Sequence, residues 1–137
     1  MQTTNRKCVH LGDPYCNHIE GGTRTSPLPV VTALPTDSAV RKEVPIARGV
    51  LDYFPAALAE VAKLSKIGND KHNPGQDLHW SRGKSSDHAD CIMRHLTERG
   101  TLDQDGLLHD VKVAWRALAM LQEALEAAGA PKARGAW

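Results

Sequence analysis

The run Leu107-Leu108-His109-Asp110-Val111-Lys112-Val113-Ala114-Trp115-Arg116-Ala117-Leu118-Ala119-Met120-Leu121-Gln122-Glu123-Ala124-Leu125 decides the fold class. Its apolar residues Leu107, Val111, Ala114, Trp115, Leu118, Leu121 and Leu125 recur at three and four positions, the period of one helix face. The pattern predicts a helix that begins near Asp105-Gly106 and is ended by Gly129 and Pro131. Reading backwards, Ser85 or Ser86 caps a second helix running to about Arg99, with Ile92, Met93 and Leu96 on its buried side and Gly100 as its stop. A first helix runs from about Tyr53 to Ile67, capped by Asp52, with Pro55 in the first turn and Leu58, Val61, Ala62 and Leu64 as its stripe; Gly68 is the predicted stop. Residues 69–84 are a polar loop turning at Asn73-Pro74-Gly75. A loop of that length in a compact domain points to function.

The fold class is therefore all-α, a helical bundle of about three core helices. Three helices bury little apolar surface, so oligomerisation is expected to complete the bundle as a homo-oligomer. Residues 1–45 hold Pro14, Pro27, Pro29, Pro35 and Pro45 and read as an irregular or partly disordered arm, in which Val30 to Leu34 offers one short strand or a segment lying along the body. Residues 46–129 form the helical domain and residues 130–137 a short tail. Within the arm, Cys8, His10, Cys16 and His18 offer a zinc knuckle, although their one-residue spacings are tighter than the usual two to four.

Composition removes several function classes. Lys and Arg number 17 against 16 Asp and Glu, a net charge of +1, so the basic footprint of a nucleic-acid binder is missing. No apolar run approaches the roughly 18 residues of a membrane span, and Met1 to Lys7 lacks the apolar core of a signal peptide. A cytoplasmic protein without a membrane partner is expected. The cysteines, Cys8, Cys16 and Cys91, are odd in number and read as thiols.

Polar chemistry concentrates between residues 72 and 110, where His72, His79, His88, His95 and His109 lie among Asp87, Asp90, Asp103, Asp105 and Asp110. Asp87, Asp90 and Arg94 stand at i, i+3 and i+7 and share a helix face. Two carboxylates one turn apart repel, which a bridging divalent cation relieves, and their oxygens suit Mg²⁺ or Mn²⁺. Asp87 reads equally well as an anion answering the helix dipole. Glu60 stands between Ala59 and Val61, either on a solvated face or toward a cation. Lys71, Arg82 and Lys84 are solvated loop charges or a phosphate cradle. Trp80 stacks on a base or anchors the loop in the core. His95 and His109 are ligands, phosphate contacts or structural hydrogen-bonding groups.

A series of motifs from Tyr53 to Glu126 carries a family resemblance: Phe54-Pro55-Ala56-Ala57-Leu58-Ala59-Glu60-Val61-Ala62, Gly68-Asn69-Asp70-Lys71-His72-Asn73-Pro74-Gly75 and Leu78-His79-Trp80, then Lys84-Ser85-Ser86-Asp87-His88-Ala89-Asp90, Arg94-His95-Leu96, Asp103-Gln104-Asp105-Gly106, His109 and Ala114-Trp115-Arg116-Ala117-Leu118-Ala119. The segment resembles the phage dATP/dGTP diphosphohydrolases (MazZ-type), distant relatives of the MazG-like all-α NTP pyrophosphatases. The resemblance implies a usually oligomeric helical bundle in which helix carboxylates hold Mg²⁺ or Mn²⁺. It implies hydrolysis of a deoxynucleoside triphosphate to monophosphate and pyrophosphate, tuning a phage nucleotide pool in the host cytoplasm. MazG-like enzymes carry Glu-Glu-x-x-Glu on one helix and Glu-x-x-Asp on the next. Here the first is reduced to Glu60 within Ala59-Glu60-Val61-Ala62-Lys63, and the second is Asp87-His88-Ala89-Asp90.

On this reading Glu60, Asp87 and Asp90 are catalytic metal ligands, joined by Asp105 from the third helix. Lys84, Arg94 and Arg82 offset the pyrophosphate charge, Trp80, His72 and Asn73 contact base or sugar, and His95 and His109 complete the substrate site. An HD-type phosphohydrolase would use His109-Asp110 but needs a later aspartate, and none follows. A catalytically silent helical module that recruits a phage or host partner through its arm is the alternative.

Overall fold

A computed structural model describes residues 33–137, and the arm's Cys8, His10, Cys16 and His18 and most of Val30 to Leu34 lie outside them. Among the described residues there are four α-helices and no strand: α1 (Ser38–Lys42), α2 (Pro55–His72), α3 (His88–Thr97) and α4 (His109–Ala127). α1 falls inside the stretch expected to be irregular. Asp37 caps it, its Oδ1 accepting from the N–H groups of Ala39 and Val40 at 3.0 Å each. A π-helical turn, Ala47–Leu51, then leads into α2.

α2 opens as the sequence predicts, with Pro55 in its first turn, but Phe54 and not Asp52 occupies the cap position. It also runs five residues past Ile67, through Gly68. The reason is tertiary. Asn69 is buried, and its side chain holds Gln76, Asn73 and the His79 backbone, so that last turn of helix is built into the following loop. α3 starts at His88, later than the Ser85 or Ser86 caps require, with Asp87 at its N-cap. Ser85 serves other partners: its hydroxyl donates to Asp87 and accepts from Arg116. α4 begins at His109 because residues 101–108 form a tight turn. Asp103 N–H donates to Leu107 C=O at 2.8 Å, His109 N–H donates to Thr101 C=O at 3.1 Å, and Gly106 turns the chain at φ 76°.

α4 is the axis of the molecule. Both α2 and α3 pack on it, and α2 and α3 do not pack on each other. Trp115 joins α4 to α2 by donating from Nε1 to Ser65 Oγ at 2.9 Å. The apolar core is thin: Cys91, Leu107, Val111 and Ala119 are its buried members among the described residues. Leu118 and Leu121, on the stripe that defined the helix, are 52% and 55% exposed. Residues 130–137 run beside the long loop, where Trp80 N–H donates to Gly135 C=O at 2.8 Å and Trp137 N–H to Trp80 C=O at 3.1 Å. The Trp137 ring stacks on His79, with centroids 4.6 Å apart and planes 4° off parallel.

Candidate active site

Between α2, α4 and the loop after α2 lies a cavity of about 1050 Å³. Its apolar wall comes from the facing stripes of α2 and α4, including Val61, Leu64, Leu118 and Leu125. Its polar wall carries Lys71, His72, Lys84, His95, Lys112 and Arg116, with Asp105 as the acid among them. Cations gathered over an apolar pocket suit an anionic ligand that has a hydrophobic portion.

The loop side is built from two buried asparagines. Asn69 Oδ1 accepts from Asn73 Nδ2 at 3.2 Å and from the His79 N–H at 3.3 Å, while its Nδ2 donates to Gln76 C=O at 3.2 Å. Asn73 Oδ1 in turn accepts from Ser81 Oγ at 3.2 Å and Lys84 Nζ at 2.9 Å. Lys84 Nζ also donates to His72 C=O at 2.7 Å. The ammonium is thus fixed at the cavity wall by neutral oxygens, and no carboxylate among the described residues pairs with its charge. Trp80 is a loop anchor: it meets Trp115 edge-on at 5.6 Å and His88 at 6.2 Å, and the Arg82 guanidinium covers it at 4.3 Å. Arg82 donates to Glu126 at 2.7 Å.

Arg116 anchors the other wall. Its Nη1 donates to Ser85 Oγ at 2.5 Å and to His88 Nδ1 at 3.2 Å. A guanidinium only donates, so His88 Nδ1 is the bare nitrogen and Nε2 carries the proton, 3.4 Å from Glu123.

A third cluster closes the end of the cavity where α3 turns into α4. His95 Nδ1 and His109 Nδ1 are 2.9 Å apart, and His109 Nε2 lies 3.0 Å from Glu98 Oε2. Lys112 donates to Asp103 at 2.5 Å and reaches Asp105 at 2.6 Å. The Lys112 ammonium and the Gln104 N–H hold the Asp103 carboxyl down at about 2, and Lys112 lowers Asp105 in the same way. Burial opposes the charge on Lys112, but its bonds to the two aspartates win and raise its pKa. Burial, then the neighbouring His109 and Lys112, pushes His95 below the usual histidine value and favours the neutral ring. Among the described residues, His95, Asp103 and His109 form the set of three that could hold a metal ion, with ligand atoms all within 4.8 Å of one another.

The carboxylates singled out from sequence sit elsewhere. Asp87 and Arg94 share the exposed face of α3, as their spacing predicts, and pair at 2.6 Å. That bond, with the one from Ser85, lowers Asp87 to about 2. Asp90 is exposed on the same helix, and Glu60 stands on α2 at 3.4 Å from Lys63. Because α2 and α3 do not pack together, one copy of the chain does not assemble Glu60, Asp87 and Asp90 into one ligand set. Lys84, His72, Asn73, Trp80, His95 and Asp105 do share the cavity, whereas Arg82 and Arg94 are committed to Glu126 and Asp87. Sequence reading passed over Lys112 and Arg116. The signal was available: His109, Lys112, Arg116 and Glu123 fall at i, i+3, i+7 and i+14 of one helix. Nothing in the sequence around Glu98 marks its role beside His109.

A family model described as the dATP/dGTP diphosphohydrolase N-terminal domain matches residues 39–132. The chain belongs to this family. The match takes in all of α2, α3 and α4 and every cavity residue named above. It also embraces all but the first residue of α1. No curated protein and no solved structure matches the chain. No helix among the described residues is long and apolar enough to cross a membrane.

Proposed function

We propose that this dATP/dGTP diphosphohydrolase-family domain hydrolyses deoxynucleoside triphosphates of the dATP/dGTP class to the monophosphate and pyrophosphate with a divalent cation. The observation that carries the reading is the cationic wall of Lys71, Lys84, Lys112 and Arg116 around an apolar cavity in a chain of this family. A triphosphate supplies the negative charge, and a base the hydrophobic part.

Lys84 needs no rearrangement to meet a phosphate, because its two present partners are neutral oxygens. Arg116 presents a guanidinium held by Ser85 and His88, a geometry that suits bidentate contact with phosphate. These cations offset the charge that builds on pyrophosphate as the bond to the α-phosphorus breaks. His72 stands at the base or sugar, while Trp80 and Asn73, committed to the loop's own packing and hydrogen bonds, shape the wall beside it. A bound Mg²⁺ or Mn²⁺ would polarise the phosphate oxygens and acidify a water. Donor chemistry that suits Mn²⁺ better than Mg²⁺ is present within one copy at His95, Asp103 and His109. Glu60 could join Asp87 and Asp90 only if α2 of one copy met α3 of another. Leu118 and Leu121 line the cavity yet stay about half exposed, which supports a homo-oligomer in which a second copy closes the cavity's open side. A phage origin, a MazG-like ancestry and a cytoplasmic location belong to the same reading.

The test is incubation of the purified chain with each dNTP and Mg²⁺ or Mn²⁺, with chromatography of the products. Monophosphate and pyrophosphate from dATP or dGTP are expected, and Lys84→Met should raise KM about tenfold or more, the worth of a charged hydrogen bond. The absence of these products with every dNTP and both cations sinks the proposal. That outcome leaves the second reading, a non-catalytic helical module that recruits a phage or host partner. The separation of Glu60 from Asp87 and Asp90 within one copy favours that reading.

A further inference from the structure

We infer that His95, Asp103 and His109 form a two-histidine, one-carboxylate site for a first-row transition dication, with Glu98 orienting His109 from behind. Two imidazole nitrogens facing each other at 2.9 Å need something between them: a single proton, or a cation that both lone pairs reach. Glu98 stands behind one ring. Its Oε2 lies 3.0 Å from His109 Nε2, so Nδ1 is the nitrogen that His109 turns toward His95. A carboxylate behind a histidine in this way is the usual outer partner of a metal ligand.

The site is also rigid. The residues of the turn between α3 and α4 are tied by the Asp103–Leu107 and His109–Thr101 backbone bonds, and a bridge joins Leu102 to Leu108. Asp103 and His109 are therefore fixed relative to each other before any ion arrives, while His95 comes from the last turn of α3. His109 is buried and the other two are half-buried, so ligands are not left to open solvent. Asp103 already accepts from Lys112 and Gln104, and an ion would share or displace the ammonium. His95, Asp105 and Lys112 line the cavity, which sets the ion at its wall. Two nitrogens and one oxygen favour transition ions over Mg²⁺, which takes oxygen ligands and keeps its waters.

The assignment of this ion to the hydrolysis rests on the reading above; the binding itself does not. The experiment is titration of the chelator-stripped full chain with Mn²⁺, following the free ion by EPR and the bound ion by electron spin-echo modulation. Bound Mn²⁺ should show coupling to imidazole nitrogen, and Mg²⁺ should compete only at tenfold or higher concentration. Glu98→Ala, an exposed change that spares the fold, should weaken binding roughly 10- to 100-fold. His95→Ala should weaken it at least as much, and Cys8→Ser with Cys16→Ser should leave it unchanged. The inference is overturned by bound Mn²⁺ without nitrogen coupling, or by unchanged affinity in both Glu98→Ala and His95→Ala. Loss of binding in Glu60→Gln and Asp90→Asn alone also overturns it. If the domain turned over no nucleotide, the Mn²⁺ result would still stand or fall by itself.

Discussion

Replacing Asn69 by Ala removes the hub on which the long loop is hung. The side chain is 4% exposed and makes three hydrogen bonds, to Gln76 C=O, Asn73 Nδ2 and the His79 N–H. Gln76 is exposed and its carbonyl can turn to water, so that loss costs little. The other two donors stay partly or fully buried, and each unsatisfied buried group costs about 1–3 kcal/mol. At distances of 3.2 and 3.3 Å these are ordinary bonds, so the lower half of that range applies to each and the total is about 2–4 kcal/mol. With a urea dependence of about 1–3 kcal/mol per molar, the unfolding midpoint should fall by roughly 1–2 M, measured by circular dichroism at one fixed protein concentration. Asn69→Asp keeps the acceptor and should lose less. Freed from Asn69, Asn73 no longer positions Lys84, so triphosphate affinity should drop together with stability. A midpoint shift equivalent to under 0.5 kcal/mol in Asn69→Ala would refute the claim that this residue organises the loop.

Acid stability should reflect the two low carboxylates. Asp87 and Asp103 are held at about 2 by Arg94 and Lys112, below the ordinary 3.8, so their contribution is fully present above about pH 4 and is lost as pH falls toward 2. Lys112→Met should shrink the part of that loss due to Asp103, as read from urea midpoints between pH 5 and 2. His95 is lowered from 6.5, so its stabilising effect is complete above that pH and declines below it, and His95→Gln should flatten the decline. Leu118→Asp with Leu121→Asp should shift the chain toward a monomer in light scattering without unfolding it, because both side chains are already about half exposed. An unchanged mass would refute a role for this face in self-association.

The three long helices were legible because their evidence is local. The stripe from Leu107 to Leu125 obeys the helical period, and Pro55, Gly100 and Gly129 mark ends through their own backbone preferences. The shared face of Asp87 and Arg94 was legible for the same reason, since seven residues make about two turns wherever the helix sits. Helix ends were less legible where distant groups compete for the capping side chains. Asp52 and Ser85 look like caps in sequence, yet Ser85 bonds Arg116, 31 residues away.

The family series in the sequence led to the right family, and the match over residues 39–132 bears it out. What spacing alone determined was the type and order of the helices and the concentration of histidine and acid between residues 72 and 110. Which of those groups meet was decided by packing. α4 accepts α2 on one contact and α3 on another while keeping the two apart, so Glu60 and Asp90 stay separate although both lie on helices. The turn before α4 folds back on itself and brings Asp103 and His109 to His95, a meeting that no linear period encodes. Periodicity reports which face a side chain takes on its own helix; only the path of the chain between helices determines what that face encounters.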